Sequence, residues 1–183
     1  MNKQLVILID QDGVLADYTK KLLEETAREF PQLPVISARD SLHFNTEQQF
    51  PREYGERIDA LSLREGFILG LEPIEGALVG INTLLEMGHD VRICTSPKKT
   101  FNPCVLEKFA WVEKYLGQKW VERMILTRDK TLVHGDILID DKPKISGVHS
   151  PSWQHIIYDQ AYNQDAQGER CTWRDYMKLF DKR

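Results

Sequence analysis

Five apolar residues, Leu5-Val6-Ile7-Leu8-Ile9, run directly into Asp10-Gln11-Asp12-Gly13. An unbroken apolar run of this length reads as a strand buried on both faces, the signature of a parallel sheet. Two carboxylates at its carboxyl end fall where open α/β sheets bind ligands, in the crevice beyond the strand ends. Clustered negative charge there is unfavourable unless compensated. A hard cation would compensate it and create a place for an anionic substrate. A calcium-loop reading fails, because Gly13 comes too early and Lys21 stands where a Glu ligand is required. An ordinary polar turn is the remaining alternative for this segment, since Asp and Gly are common turn residues.

Similar apolar runs recur. Asp90–Thr95, Arg123–Thr127, Ile137–Ile139 and His155–Tyr158 read as further strands. Between them, helical spacing spans Asp17 to Phe30, the stretch from Gly76 to Met87, Phe101 to Leu116, and a closing Thr172 to Phe180. Alternating strands and helices predict a doubly wound, Rossmann-like three-layer sandwich with a mostly parallel central sheet. Right-handed crossovers place the strand carboxyl ends on one rim. Residues 36–66 are polar and helix-compatible, too long for a simple loop, and read as a small helical cap inserted after the first strand. The expected division is a core of residues 1–16 and 73–183 and a cap of residues 17–72.

A length of 183 residues suits one compact domain with such an insertion. The net charge of −4 argues against polymeric nucleic acid or a basic membrane-surface role, but not against a single nucleotide held in a local cationic pocket. Cys94, Cys104 and Cys171 have no zinc-type spacing, and Cys94 reads as a small core residue. The apolar start is too short for a signal peptide and nothing approaches transmembrane length, so the expected location is cytoplasmic. Phe50, Tyr54, Trp111, Trp120 and Trp153 read as packing residues. The five histidines read as surface or loop residues rather than ligands.

Four polar clusters converge on the rim: Asp10-Gln11-Asp12, Thr95-Ser96-Pro97, Arg128-Asp129-Lys130 and Asp140-Asp141. Hydroxyls, a lysine and two carboxylate pairs suit magnesium and phosphate. Magnesium prefers a few carboxylates plus phosphate oxygens and water, lysine supplies a point charge, and a hydroxyl donates one hydrogen bond. Each cluster has a plainer reading. Lys130 could be a solvated lysine, Thr95 and Ser96 could cap a turn, and Asp140-Asp141 could be an acidic turn.

The stretches ILIDQDGVLADY, GLEPIEGALVGINTLLEMG, VRICTSPKK, KFAWVEKYLG, ILTRDKTLVHGDILIDDK and PSWQHI resemble haloacid-dehalogenase-type phosphatases. More narrowly, they resemble the 5′(3′)-deoxyribonucleotidases. The resemblance implies that Asp10 is the nucleophile and Asp12 the general acid/base. It implies that Mg²⁺ is held by Asp10, the Asp12 carbonyl and Asp141, with Asp140 as support or alternative. Thr95, Ser96, Lys99 and Lys130 match phosphate-holding positions. Tyr18, Phe44 and Phe67 match aromatic positions of the nucleoside pocket, and Phe44, Asn45 and Thr46 match a segment that touches the base. Asn45 departs from the mitochondrial form of those enzymes, which carries a bulky aromatic there.

The implied partner is a small-molecule nucleotide, with a homodimer as one option and no membrane. The implied reaction removes phosphate from deoxyribonucleoside 5′(3′)-monophosphates through an aspartyl-phosphate. Two rivals remain at this point: a phosphatase or phosphotransferase for another small phosphomonoester such as a sugar phosphate, and a non-catalytic nucleotide-binding protein.

Overall fold

A computed structural model describes residues 4–98 and 103–180. Its centre is β1 (Val6–Ile9), which pairs in parallel with β2 (Asp90–Thr95) on one side and β4 (Ile137–Asp140) on the other. Adding β3 (Met124–Leu126), β5 (Gln154–Tyr158) and β6 (Glu169–Cys171) gives the order β3-β2-β1-β4-β5-β6. Every pairing among the described strands is parallel, where the sequence led us to expect a mostly parallel sheet. The chain moves outward from β1 to β3, then crosses back to β4. The switch between β1 and β4 opens a crevice beyond their carboxyl ends.

Alternation along β1 divides its side chains between two apolar clusters. Ile7 and Ile9 join Leu22 of α1 (Tyr18–Glu29), Ile81 of α3 (Ala77–Glu86) and Trp111 of α4 (Pro103–Leu116) in the main core. Leu8 points the other way, into a smaller cluster with Cys94, Leu138 and Trp153. Phe50, Trp111, Trp120 and Trp153 are buried, as packing residues should be, and Tyr54 packs its ring edge on Phe30. All three cysteines are buried and unpaired.

The segment between β1 and β2 begins with α1, capped by Asp17, whose carboxylate accepts from the Lys20 amide. It then breaks into 3₁₀ turns at Ala38–Asp40, Thr46–Gln49 and Arg52–Tyr54 and a short α2 (Gly55–Leu61). After α4 comes the one-turn α5 (Gln118–Val121). Two expectations need correction. The closing helix is only a 3₁₀ turn, Tyr176–Leu179, and a sixth strand precedes it. Its Glu-Arg-Cys sequence has no apolar run, and it survives as a short charged edge. Of the histidines, read as surface or loop residues, His89 lies in the loop before β2 and His155 on β5. His89 is buried, with Nδ1 accepting from the Leu5 amide, and His155 is half-buried against the Asp140 carbonyl. The start of the expected α4 at residues 101–102 lies outside the described residues, as does Lys99.

Candidate active site

Strand register brings the rim together. Ile9 lies opposite both Ile93 and Ile139, so Asp10, Thr95, Asp140 and Asp141 emerge at one edge. Lys130 enters from a 3₁₀ turn, Lys130–Leu132, whose first residue follows the capping Asp129. Its ammonium lies 2.9 Å from Asp10 Oδ2 and 2.5 Å from Asp140 Oδ2. That excludes the solvated-lysine alternative, since Lys130 is buried.

Asp10, Asp140 and Asp141 each offer a carboxylate oxygen within 4.8 Å of the others. Burial is the main influence on Asp10 and pushes its carboxyl up to about 6; Lys130 opposes the rise and Asp140 adds to it. Asp141 is pushed well above the usual carboxylate range, again by burial first and then by Asp140 and Asp10. Burial works to strip the Lys130 proton, but Asp10 and Asp140 outweigh it and hold Lys130 above the ordinary lysine range. Three clustered carboxyl groups share this one lysine. The donors are all hard oxygens, so the cluster fits a magnesium-type cation. Both Asp140 oxygens are engaged, Oδ2 by Lys130 and Oδ1 by the Lys142 amide at 2.9 Å. Asp141 accepts from the Tyr162 hydroxyl through Oδ2, which leaves it the freer of the two acids.

A second buried lysine holds Asp12. Lys108, on α4, is fully buried; its ammonium donates to Asp12 Oδ2 at 2.7 Å and Thr95 Oγ1 at 3.0 Å. The two aspartates that open the rim thus have separate cationic partners. The other Asp12 oxygen, Oδ1, is buried without a partner. Thr95 is buried on this rim, whereas Ser96 follows on an exposed position.

The turn after β1 is folded tightly, with the amides of Leu15 and Ala16 both donating to the Gln11 carbonyl at 2.8 Å. Gly13 has φ +78°, and a Cβ there would come within 2.6 Å of Asp141 Cγ. Only glycine meets both demands. Gln160 and Trp173 brace the turn from outside, donating to the carbonyls of Gly13 and Val14 at 2.7 Å each.

A cavity of about 420 Å³ extends from Asp10, Asp12 and Asp141 to Tyr18, Phe44, Asn45 and Thr46. Thr46 is buried and its hydroxyl has no partner, while Asn45 and Phe44 are exposed. Phe67 is not in the lining. It is buried behind Tyr18, ring edge to face at 5.5 Å. A larger hollow of about 680 Å³ along Phe50, Arg52 and Arg57 touches none of the rim carboxylates. Its lining mixes acidic and basic side chains, among them Glu53, Glu56, Arg52 and Arg57.

Residues 4–182 match the family model described as 5′ nucleotidase, deoxy (Pyrimidine), cytosolic type C protein. The chain belongs to this nucleotidase family. It is 43% identical over 176 residues to a Bordetella bronchiseptica protein named as a candidate 5′(3′)-deoxyribonucleotidase, covering 96% of this chain and 95% of that one. It is 41% identical to the human mitochondrial 5′(3′)-deoxyribonucleotidase, covering 90% of this chain and 75% of the relative. Among solved structures, a HAD family hydrolase from Deinococcus radiodurans shares the fold. Its TM-score is 0.60 at 11% identity, over 97% of this chain and 95% of that one.

Against the background of the nucleotidase family, three site residues stand out as absent from the sequence expectations: Lys108, Lys98 and Tyr162. Lys108 had a legible signal. It shares a helical stripe with Cys104, Trp111 and Val112, all buried, and a lysine in an apolar stripe needs a buried partner. Lys98 donates to Asp59 Oδ1 at 3.0 Å and Ser62 Oγ at 2.5 Å, with its ammonium 5.2 Å from the Tyr18 ring centre. It gave no signal, because its partners lie on α1 and at the end of α2, distant in sequence. Tyr162 sits on a 3₁₀ turn, Ala161–Asn163, with nothing local to mark it. No helix of the described residues is long and apolar enough to cross a membrane.

Proposed function

We propose that this chain is a magnesium-dependent, cytoplasmic phosphatase that hydrolyses deoxyribonucleoside 5′(3′)-monophosphates through a phosphorylated Asp10. Membership of the nucleotidase family supports the substrate class. The observation that carries the mechanism is the separation of the two aspartates: Asp10 beside Lys130, Asp12 beside Lys108.

Asp10 attacks phosphorus, the bond from phosphorus to the ribose oxygen breaks, and that oxygen takes a proton from Asp12. Water then attacks the phosphorus and gives its proton to Asp12, and the bond to Asp10 breaks. Inorganic phosphate leaves and both aspartates are restored. Splitting one displacement into two is the gain of a covalent nucleophile, and positioned proton transfer contributes roughly 10²–10⁴-fold. Lys108 holds the Asp12 carboxylate at the rim through Oδ2. Thr95 and Lys130 hold the phosphate oxygens in line with Asp10.

Asp10, Asp141 and the Asp12 carbonyl would hold magnesium, with Asp140 in support. The cation, when bound, supplies positive charge against the phosphate oxygens. Residues 17–72 act as the cap over a core of 1–16 and 73–183. Tyr18, Phe44, Asn45 and Thr46 face the nucleoside, and Phe67 backs Tyr18.

Phosphate release across deoxy- and ribonucleoside 5′- and 3′-monophosphates, sugar phosphates and glycerol phosphate, with magnesium or with chelator, tests this reading. Magnesium-dependent release with the highest kcat/KM on deoxyribonucleotides is the expected result. Equal rates on sugar phosphates, or none on any ester, would overturn it.

A further inference from the structure

The turn after β5 contributes three contacts to the rim. Gln160 donates to the Gly13 carbonyl at 2.7 Å, Asn163 donates to the Asp141 carbonyl at 2.7 Å, and Tyr162 donates to Asp141 Oδ2. Asn163 is itself fixed by Arg170 of β6, at 2.6 Å to its side-chain oxygen. The turn is therefore anchored on the sheet rather than free to follow the pocket. Tyr162 has a second contact: its ring meets Phe44 edge to face, centres 5.7 Å apart, inside the cavity that reaches the carboxylates. Gly13 leaves room for this arrangement, since a Cβ there would lie 3.0 Å from the Tyr162 hydroxyl.

We propose that Tyr162 is both a positioning residue for Asp141 and a wall of the nucleoside pocket, so that one side chain ties the cation-binding carboxylate to substrate selection. The inference rests on the cation site proposed above. With Oδ2 held by the hydroxyl, the Asp141 carboxylate keeps one orientation and presents Oδ1 to the cation. Outer partners of this kind typically account for 10- to 100-fold in metal affinity. The ring meanwhile packs against Phe44, which is 42% exposed.

The two roles separate by substitution. Tyr162→Phe keeps the ring and removes the hydroxyl, while Tyr162→Leu removes both. Manganese binding to the full chain, read by electron paramagnetic resonance, should weaken about 10- to 100-fold in Tyr162→Phe. KM for deoxyribonucleoside monophosphates should stay near wild type in Tyr162→Phe and rise in Tyr162→Leu, with KM for glycerol phosphate the same in both. Asp141→Asn is the control for the site itself. If Asp141→Asn loses manganese and Tyr162→Phe does not, the positioning role is wrong and the cation site stands. If Asp141→Asn binds as well as wild type, the cation site fails and this inference fails with it. A Tyr162→Leu variant that raises KM equally for nucleotide and glycerol phosphate would overturn the selectivity role.

Discussion

The strand-end rim and the segment between β1 and β2 line one cavity by opposite physical means. On the rim, Asp10, Thr95 and Asp141 follow or end buried strands, Lys108 lies on a buried helix face and Lys130 on a 3₁₀ turn, and ion pairs or hydrogen bonds hold each side chain. Across the cavity, Phe44 and Asn45 stand exposed on a chain of 3₁₀ turns, held by aromatic edges and a few polar contacts. Rigid placement is what phosphoryl transfer demands, because its barrier responds to position and preorganised charge. Recognition of a nucleoside tolerates a softer wall. The division predicts that rim substitutions lower kcat, whereas those on the opposite wall raise KM.

The sharpest way to break that contrast is Lys108→Met. It strands a partly buried carboxylate, so it should destabilise the protein by about 3 kcal/mol, the low end for a broken buried pair because Asp12 keeps some solvent contact. Thermal or denaturant melts measure this. The same variant should lose at least ~10²-fold in kcat, since Lys108 positions the group that transfers the proton. Unchanged kcat with a raised KM would place Lys108 with the opposite wall instead.

Tyr18→Leu probes that wall. Stacking on a base is worth about 1–3 kcal/mol, so KM for nucleotides should rise roughly 5- to 150-fold with kcat nearly kept. Steady-state kinetics beside glycerol phosphate, which has no base, separates a stacking role from a general defect.

The smallest effect concerns pH. Asp10 is raised to about 6 and Asp141 well above the usual carboxylate range, both by burial first, so in the metal-free protein the folded state holds these protons more tightly than the unfolded chain. Their contribution to stability is therefore lost as pH rises through the folded-state values. A cation must displace those protons to bind. The rise in melting temperature on adding magnesium should then be larger at neutral pH than near pH 5. His155, held below its ordinary value by burial, titrates in the opposite sense but is common to both arms. Equal magnesium shifts at both pH values would mean that Asp10 and Asp141 do not hold the cation.

The same contrast governs what the sequence made legible. β1, β2 and β4 are apolar runs that end in chemistry, and burial on both faces writes them plainly into the residue order. Asp10, Asp12, Thr95 and Asp140-Asp141 follow from those ends, and Lys130 from the turn after β3. The 3₁₀ turns of residues 38–54 have no periodicity to read, and β6 is a charged three-residue edge. Lys108 was readable as a lysine within an apolar stripe. Lys98 and Tyr162 were not, because each matters only through partners that tertiary folding delivers.

The central claim is that Asp10, not Asp12 or water, attacks phosphorus. Rapid quenching during turnover, reduction with borohydride and peptide mass spectrometry tests it directly, because an aspartyl-phosphate is reduced to homoserine. Homoserine at position 10, absent without substrate and absent in Asp10→Asn, is the predicted result. Homoserine at position 12, or full turnover by Asp10→Asn, would contradict it.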